Sequence, residues 1–202
     1  LNKNTIIAGS GVLDKKISEF AMNNNIGGFE FLSCIPGTVG GGIRMNSGCF
    51  ENEFKDILIS VQAINRSGEV LTIPKKDIKF GYRYCDLAKD LIFLSASFKG
   101  SKKNREEILK DLNNLKSKKE KAQPTRIKTG GSTFKNPIKQ TSKKVWEVIK
   151  ESVPENTHFG DAMISKKHSN FFINKGNASY KDMKKLIDFV KQSVKSKTGI
   201  NL

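Results

Sequence analysis

The glycine-dense stretch between Gly27 and Gly48 restricts the folding of this chain more than any other feature. Its centre reads Ile35-Pro36-Gly37-Thr38-Val39-Gly40-Gly41-Gly42-Ile43-Arg44-Met45-Asn46-Ser47-Gly48. Glycine at this density is too rich for a regular strand or helix throughout, because each one adds backbone freedom that folding must remove. The same glycines leave backbone N–H groups uncovered, so a phosphate or a planar ring system can approach closely. Pro36 rigidifies the turn, and Asn46 is placed to hydrogen-bond a polar ligand edge. Glycine alone would equally explain a tight loop between buried elements, so both readings stand at this point.

The flanking segments show ordinary periodicities. Leu13, Ile17, Phe20 and Ala21 recur at helical spacing, and Asn23-Asn24-Asn25 with Gly27 ends that helix. Residues 57–64 and 69–73 are strand candidates, joined through Arg66-Ser67-Gly68 in a tight antiparallel hairpin. Residues 91–98 form a third, strongly apolar strand expected at the centre of the sheet. Asn104, with Glu107 three residues on, opens a helix whose face carries Ile108, Leu112 and Leu115. Pro124 stops it, and the boundary between two domains, 1–123 and 124–202, is expected there. Beyond it, Val145, Val148 and Ile149 mark a short helix, with Trp146 expected to pack against its neighbours. Residues 170–174 form a compact strand. A last helix opens at Ser179, buries Met183, Leu186, Ile187, Val190 and Val194, and closes at Gly199.

Composition narrows the function classes. Lysine and arginine number 36 against 20 acidic residues, a net charge of +16. Most of the lysines spread over polar helix faces, which reads first as a solvated surface and second as attraction for a pyrophosphate-bearing substrate. No aromatic-basic RNA-binding signature or finger spacing accompanies the charge, so no nucleic-acid partner is expected. No apolar run approaches the roughly 20 residues that span a bilayer, so no membrane partner is expected either. Cys34, Cys49 and Cys85 lack metal-ligand spacing. The expectation is no metal site and a reducing, cytoplasmic setting. The chain opens on Leu1 as though a strand were entered in mid-course, and is read as a fragment.

Three further segments carry candidate chemistry. In Phe80-Gly81-Tyr82-Arg83, the arginine is either a packed surface partner of the tyrosine or a bidentate carboxylate anchor. Gly130-Gly131-Ser132-Thr133-Phe134-Lys135-Asn136-Pro137 offers Ser132 as a helix cap or a reactive hydroxyl, with no His–Asp arrangement to suggest a hydrolase. In Gly160 to Asn174, His168 has no cysteine or carboxylate partner and reads as structural.

The Ile35–Gly48 segment resembles the I-P-G-T-V-G-G…N-x-G stretch of flavoproteins whose FAD lies between two α+β subdomains. All four segments, in this order, resemble the UDP-N-acetylenolpyruvoylglucosamine reductase family of the shorter-loop type, from about Gly9 to Leu202. The resemblance implies an α+β fold: the second FAD-binding subdomain of a PCMH (vanillyl-alcohol-oxidase-like) flavoprotein, then a small C-terminal substrate-binding domain. It also implies a cytoplasmic, monomeric, NADP-linked dehydrogenase that completes UDP-N-acetylmuramate for peptidoglycan and so serves cell shape and division. NADPH reduces FAD, the flavin N5 hydride passes to the enolpyruvyl ether of UDP-N-acetylglucosamine enolpyruvate, and a proton completes the lactyl ether.

Residue by residue, the resemblance makes Ser132 the proton donor and Arg83 the stabiliser of the substrate carboxylate. Tyr82, Lys135 and Asn136 bind substrate, while Ile35, Pro36, Gly37, Thr38, Gly40, Gly41 and Asn46 line the flavin. The family's FAD pyrophosphate loop would precede Leu1, and an assisting glutamate would follow Leu202. The fragment as given is therefore not expected to turn over. Cys49-Phe50-Glu51 stands where the family carries an Ala-Tyr-Gly-like triplet, and Asn156-Thr157-His158 replaces a glycine-containing approach. Two other readings compete: a hydroxy-acid dehydrogenase of the same fold, and a non-catalytic basic module.

Overall fold

The computed structural model describes residues 4–124 and 127–202, and the chain divides into two compact units, Leu1–Lys119 and Glu120–Leu202.

The first unit begins with strand β1 (Thr5–Gly9) and helix α1 (Asp14–Asn23). The residues that α1 buries are Asp14, Ile17, Ser18 and Ala21, whereas Leu13 and Phe20 are 53% and 46% exposed. The buried stripe is thus rotated from the apolar face that the spacing predicts and takes in two polar side chains. Strand β2 (Ile26–Gly27) and a 3-10 turn (Glu30–Cys34) lead into the glycine-rich segment. There a six-residue helix, α2 (Val39–Arg44), absorbs three of the glycines. A small hairpin, β3 (Gly48–Cys49) with β4 (Asn52–Glu53), runs into the single turn α3 (Phe54–Ile57). Strands β5 (Leu58–Ile64) and β6 (Val70–Pro74) form the expected hairpin. Asn65 Oδ1 accepts from the N–H groups of Ser67 and Glu69, both at 3.0 Å, and Gly68 turns at φ +84°.

A second small hairpin, β7 (Phe80–Gly81) with β8 (Tyr84–Cys85), precedes β9 (Ile92–Lys99) and the short β10 (Ser101–Lys102). The main sheet is antiparallel in the order β1-β9-β5-β6, so β9 lies inside it as its apolar run requires. Its buried face meets Phe29, Leu32, Val39, Ile43 and Phe54. Phe98 sits edge-on to both Phe29 (6.5 Å) and Phe54 (5.9 Å), geometries that suit the ring quadrupoles. Helix α4 (Arg105–Ala122) starts beside Asn104, whose Oδ1 accepts from Glu106 N–H at 3.0 Å, and buries Ile108.

The second unit is an antiparallel sheet covered by two helices. Its elements are β11 (Lys128–Ser132), α5 (Val145–Ser152), β12 (His158–Phe159), β13 (Ala162–Ile164), β14 (Phe171–Asn174) and α6 (Tyr180–Thr198). Sheet order is β11-β14-β13-β12. Val148 and Ile149 of α5 and Leu186, Val190 and Val194 of α6 close the core over Ala162 and Phe172. Helix α6 is held at both ends: Ser179 Oγ accepts from Asp182 N–H, and Gly199 adopts φ +75°.

Candidate active site

In the first unit the glycine-rich segment presents an uneven surface. A side chain on Gly42 would strike the Phe54 ring at 2.3 Å, and one on Gly40 would meet Ser10 Cβ at 3.2 Å. Gly42 therefore serves packing, while Gly40 leaves little room for a side chain. Gly41 is exposed, and an added Cβ would meet nothing nearer than Thr38 Oγ1 at 3.9 Å. Pro36 and Gly37 are exposed beside it, with Ile35 and Thr38 half-buried. This leaves a stretch of bare backbone that a flat ring can lie against, so the segment fits a flavin.

Asn46 behaves differently from the ligand-edge role expected of it. It is fully buried: Nδ2 donates to Glu53 Oε2 (2.9 Å) and Gly81 O (3.1 Å), while Oδ1 accepts from Lys55 N–H (3.0 Å). The side-chain amide thus ties the glycine segment to the β3–β4 and β7–β8 hairpins rather than pointing at a ligand.

That tie seats Arg83. Its Nη1 donates to Asn46 O (3.3 Å), its Nη2 to Gly48 O (3.1 Å), and its guanidinium lies 5.0 Å from the centre of the Tyr82 ring. The residue takes φ +53°, a left-handed conformation costly for a side chain of this size. Tertiary contacts hold it there, with the cation fixed on the flank of the glycine segment. Arg44 pins the stretch before β9, donating to Leu87 O at 2.7 Å and stacking over Phe93 at 4.4 Å.

In the second unit, β11 pairs with β14 through Thr129↔Ile173 and Ser132↔Phe171, with a register shift between them. The bulge falls at Gly130-Gly131, and Gly131 has φ +85°, which only glycine adopts cheaply. The extra residue re-aims the strand end, and Ser132 emerges exposed. Asn170, 2% exposed, clamps the two residues after Ser132: its Oδ1 accepts from Phe134 N–H (3.0 Å), its Nδ2 donates to Phe134 O (2.9 Å), and its carbonyl accepts from Thr133 N–H (2.8 Å). Asn136 Oδ1 accepts from Val145 N–H at 3.0 Å, the first donor of α5. Lys135 is exposed. His168 Nδ1 accepts from Asn170 N–H (3.2 Å), and the ring packs on Phe171 at 4.8 Å. Burial lowers its pKa, which favours the neutral ring and agrees with a structural role.

Sequence reasoning misses two features. The H-x-N-F and G-G-S spacings contain Asn170 and Gly131, yet what these residues do appears only when β11 and β14 pair. A cavity of about 550 Å³ in the second unit is lined by Trp146, Lys150, Lys167 and His168 among others, and Ser132 is not among its walls. Trp146, expected to pack against its neighbours, lies 6.2 Å from the His168 ring and is 39% exposed. Among the described residues, no group of three or more His, Cys, Asp or Glu could hold a metal, and no helix is long and apolar enough to cross a membrane.

Comparison with known proteins places these parts. Residues 1–74 match an FAD binding domain, and residues 123–202 match the UDP-N-acetylenolpyruvoylglucosamine reductase C-terminal domain. The UDP-N-acetylenolpyruvoylglucosamine reductase of Pelagibacter ubique (strain HTCC1062) is 65% identical over 202 residues, covering 100% of this chain and 67% of the relative.

The chain belongs to the UDP-N-acetylenolpyruvoylglucosamine reductase family.

A Rickettsia conorii reductase of this family is 43% identical over 199 residues, 98% of this chain and 66% of the relative. The crystal structure of UDP-N-acetylenolpyruvylglucosamine reductase from Thermus caldophilus superposes with a TM-score of 0.84 at 30% identity, covering 98% of this chain and 70% of that one. The chain spans about two thirds of the length of the curated relatives it matches. Its fold is α+β, part of the reductase's FAD-binding domain followed by its C-terminal domain. The family is that of the FAD- and NADPH-dependent reductase of peptidoglycan precursor synthesis.

Proposed function

We propose that this chain carries the reducing machinery for UDP-N-acetylglucosamine enolpyruvate, with Arg83 stabilising the substrate carboxylate and Ser132 donating the proton. When bound, FAD supplies the hydride from N5 that it has taken from NADPH. Hydride addition to an enolpyruvyl ether leaves negative charge on the neighbouring carbon and its carboxylate. A fixed cation is what such charge needs, and the carbonyls of Asn46 and Gly48 hold the Arg83 guanidinium in advance, which limits reorganisation during reaction. That anchoring on the glycine segment is the observation that carries the reading. An alcohol is a weak acid, but a carbanion-like centre is a strong base, so a positioned hydroxyl is acid enough. The bulge at Gly131 and the clamp from Asn170 support this role by fixing the backbone on either side of Ser132.

Residues 1–123 act as the second FAD-binding subdomain and 124–202 as the substrate-binding domain, in keeping with the two matched ranges. Ile35, Pro36, Gly37, Thr38, Gly40 and Gly41 line the flavin, with Asn46 supporting them from within. Tyr82, Lys135 and Asn136 bind substrate, the Lys135 ammonium suiting its phosphates. The protein works in the cytoplasm, in keeping with three free cysteines, and as a monomer, which sedimentation of the full-length protein would test.

The deciding experiment separates the two half-reactions in the full-length protein. Ser132→Ala should leave flavin bleaching by NADPH unchanged and lower product formation by about a hundredfold or more, the usual scale for losing a general acid. Unchanged rates in both halves would remove Ser132 from the mechanism. Flavin reduction by a hydroxy acid instead of NADPH would point to another oxidoreductase of the fold.

A further inference from the structure

Two of the three cysteines meet in the first unit. Cys34 ends the 3-10 turn just before Ile35, and Cys49 lies in β3 just after Gly48, so the pair brackets the whole flavin segment. The 3-10 turn packs against β3, which makes Cys34 and Cys49 neighbours, close enough for each thiol to perturb the other. Lys119 Nζ donates to Cys34 O at 2.9 Å, which brings a cation to the same spot, and Ser33 Oγ lies 3.8 Å from Cys34 Sγ. Arg83 joins from the other side through Gly48 O, the residue before Cys49. Cys34 is 6% exposed, Cys49 is half-buried, and Cys85 belongs to β8.

The environment divides the pair's protons unequally. The hydrogen bond from Cys49 is the largest influence on Cys34 and pulls its pKa down to about 6, with Ser33 and Lys119 adding to the effect. Cys49 is pushed up, first by that same hydrogen bond and then by burial. The pair thus favours the thiolate at Cys34 over Cys49, the division of protons that thiol oxidation uses.

We propose that Cys34 and Cys49 form a reversible disulfide that staples the two ends of the Ile35–Gly48 segment, making this half of the site sensitive to peroxides. The Cys34 thiolate attacks one peroxide oxygen; the S–O bond forms as the O–O bond breaks, leaving a sulfenic acid and hydroxide. The Cys49 sulfur then attacks Cys34, the S–S bond forms, the S–O bond breaks, and the Cys49 proton leaves with the departing hydroxide as water. Two electrons pass from the thiol pair to the peroxide. Cytoplasmic disulfides are typically transient and regulatory, as this one would be. The staple acts on catalysis through Gly48, whose carbonyl seats Arg83, and this consequence rests on the reductase function proposed for the chain.

The test oxidises the full-length protein with hydrogen peroxide, alkylates the remaining thiols and maps the peptides by mass. A peptide pair joined through Cys34 and Cys49, two hydrogens lighter than its parts and split by dithiothreitol, is expected, with Cys85 alkylated throughout. Cys49→Ser should leave Cys34 as a sulfenic acid trapped by a dimedone probe, and Cys34→Ser should leave Cys49 reduced. Irreversible sulfinate at Cys34 without a cross-link, or inertness of both thiols where free cysteine is consumed, overturns the proposal. In the activity arm, oxidation should slow product formation severalfold, dithiothreitol should restore it, and Cys49→Ser should be indifferent to peroxide. A cross-link that leaves the rate unchanged overturns the switch. A cross-link in a protein that never reduces the enolpyruvyl sugar nucleotide would count against the proposed function alone.

Discussion

Replacing Asp14 by Asn should stabilise the protein by an amount that grows as pH rises from about 4 to about 6 and is constant above that. Asp14 is fully sealed from solvent, and among the described residues neither of its oxygens has a hydrogen-bond partner. Burial raises its pKa from 3.8 to about 6. Below about pH 4 the carboxyl is neutral in the folded and unfolded chains alike. Between about pH 4 and 6 the unfolded chain has given up the proton and the folded one keeps it, so stability falls as pH rises. Above about pH 6 the loss is complete and constant. A shift of about two units corresponds to about 3 kcal/mol as an upper bound. That bound is lowered by relaxation of the surroundings around the new charge and by the helix dipole, which returns about 0.3–1 kcal/mol to a carboxylate in the first turn of α1. The net penalty is then about 1–2 kcal/mol. Asn keeps the shape without the charge, so thermal melts of the full-length variant at about pH 8 should rise by roughly 2–6 °C. Near pH 4 the variant and its parent should melt within about a degree of one another. An advantage of equal size at both pH values, or a less stable variant at the higher one, would show that ionisation of Asp14 does not limit stability.

Other substitutions and titrations test the packing. Gly42→Ala drives a methyl into the Phe54 ring and should cost about 1–3 kcal/mol, read as a lower urea midpoint at unchanged slope. Ser179→Ala removes the oxygen that accepts from Asp182 N–H and should cost about 1 kcal/mol in the same assay. The His168 ring protons should titrate by NMR below the ordinary histidine range, since burial disfavours the cation; a midpoint at or above that range would contradict its buried setting.

How much of the molecule is legible in its sequence depends on how local each cause is. Helix α6 can be placed to within a residue, because Ser179, the apolar spacing and Gly199 each act within a turn or two of chain. The hairpin of β5 and β6 and the inner position of β9 come from alternation and a strongly apolar run. The family can be recognised from four ordered segments, since reactive chemistry confines residue types tightly at each.

The hidden features arise from residues far apart in sequence. Asn46 reads as a ligand contact until the β3–β4 and β7–β8 hairpins close over its amide. By spacing alone, α1 should bury Leu13 and Phe20; the core instead receives the stripe holding Asp14 and Ser18, and no helical period distinguishes neighbouring stripes. The aim of Ser132 depends on a register shift between β11 and β14, and the meeting of Cys34 with Cys49 depends on a hairpin folding back on a 3-10 turn. Residue order dictates local conformation because short-range sterics and hydrogen bonds decide it. Which side chains meet is decided by burial of the whole core, a sum over contacts that no short window of sequence contains.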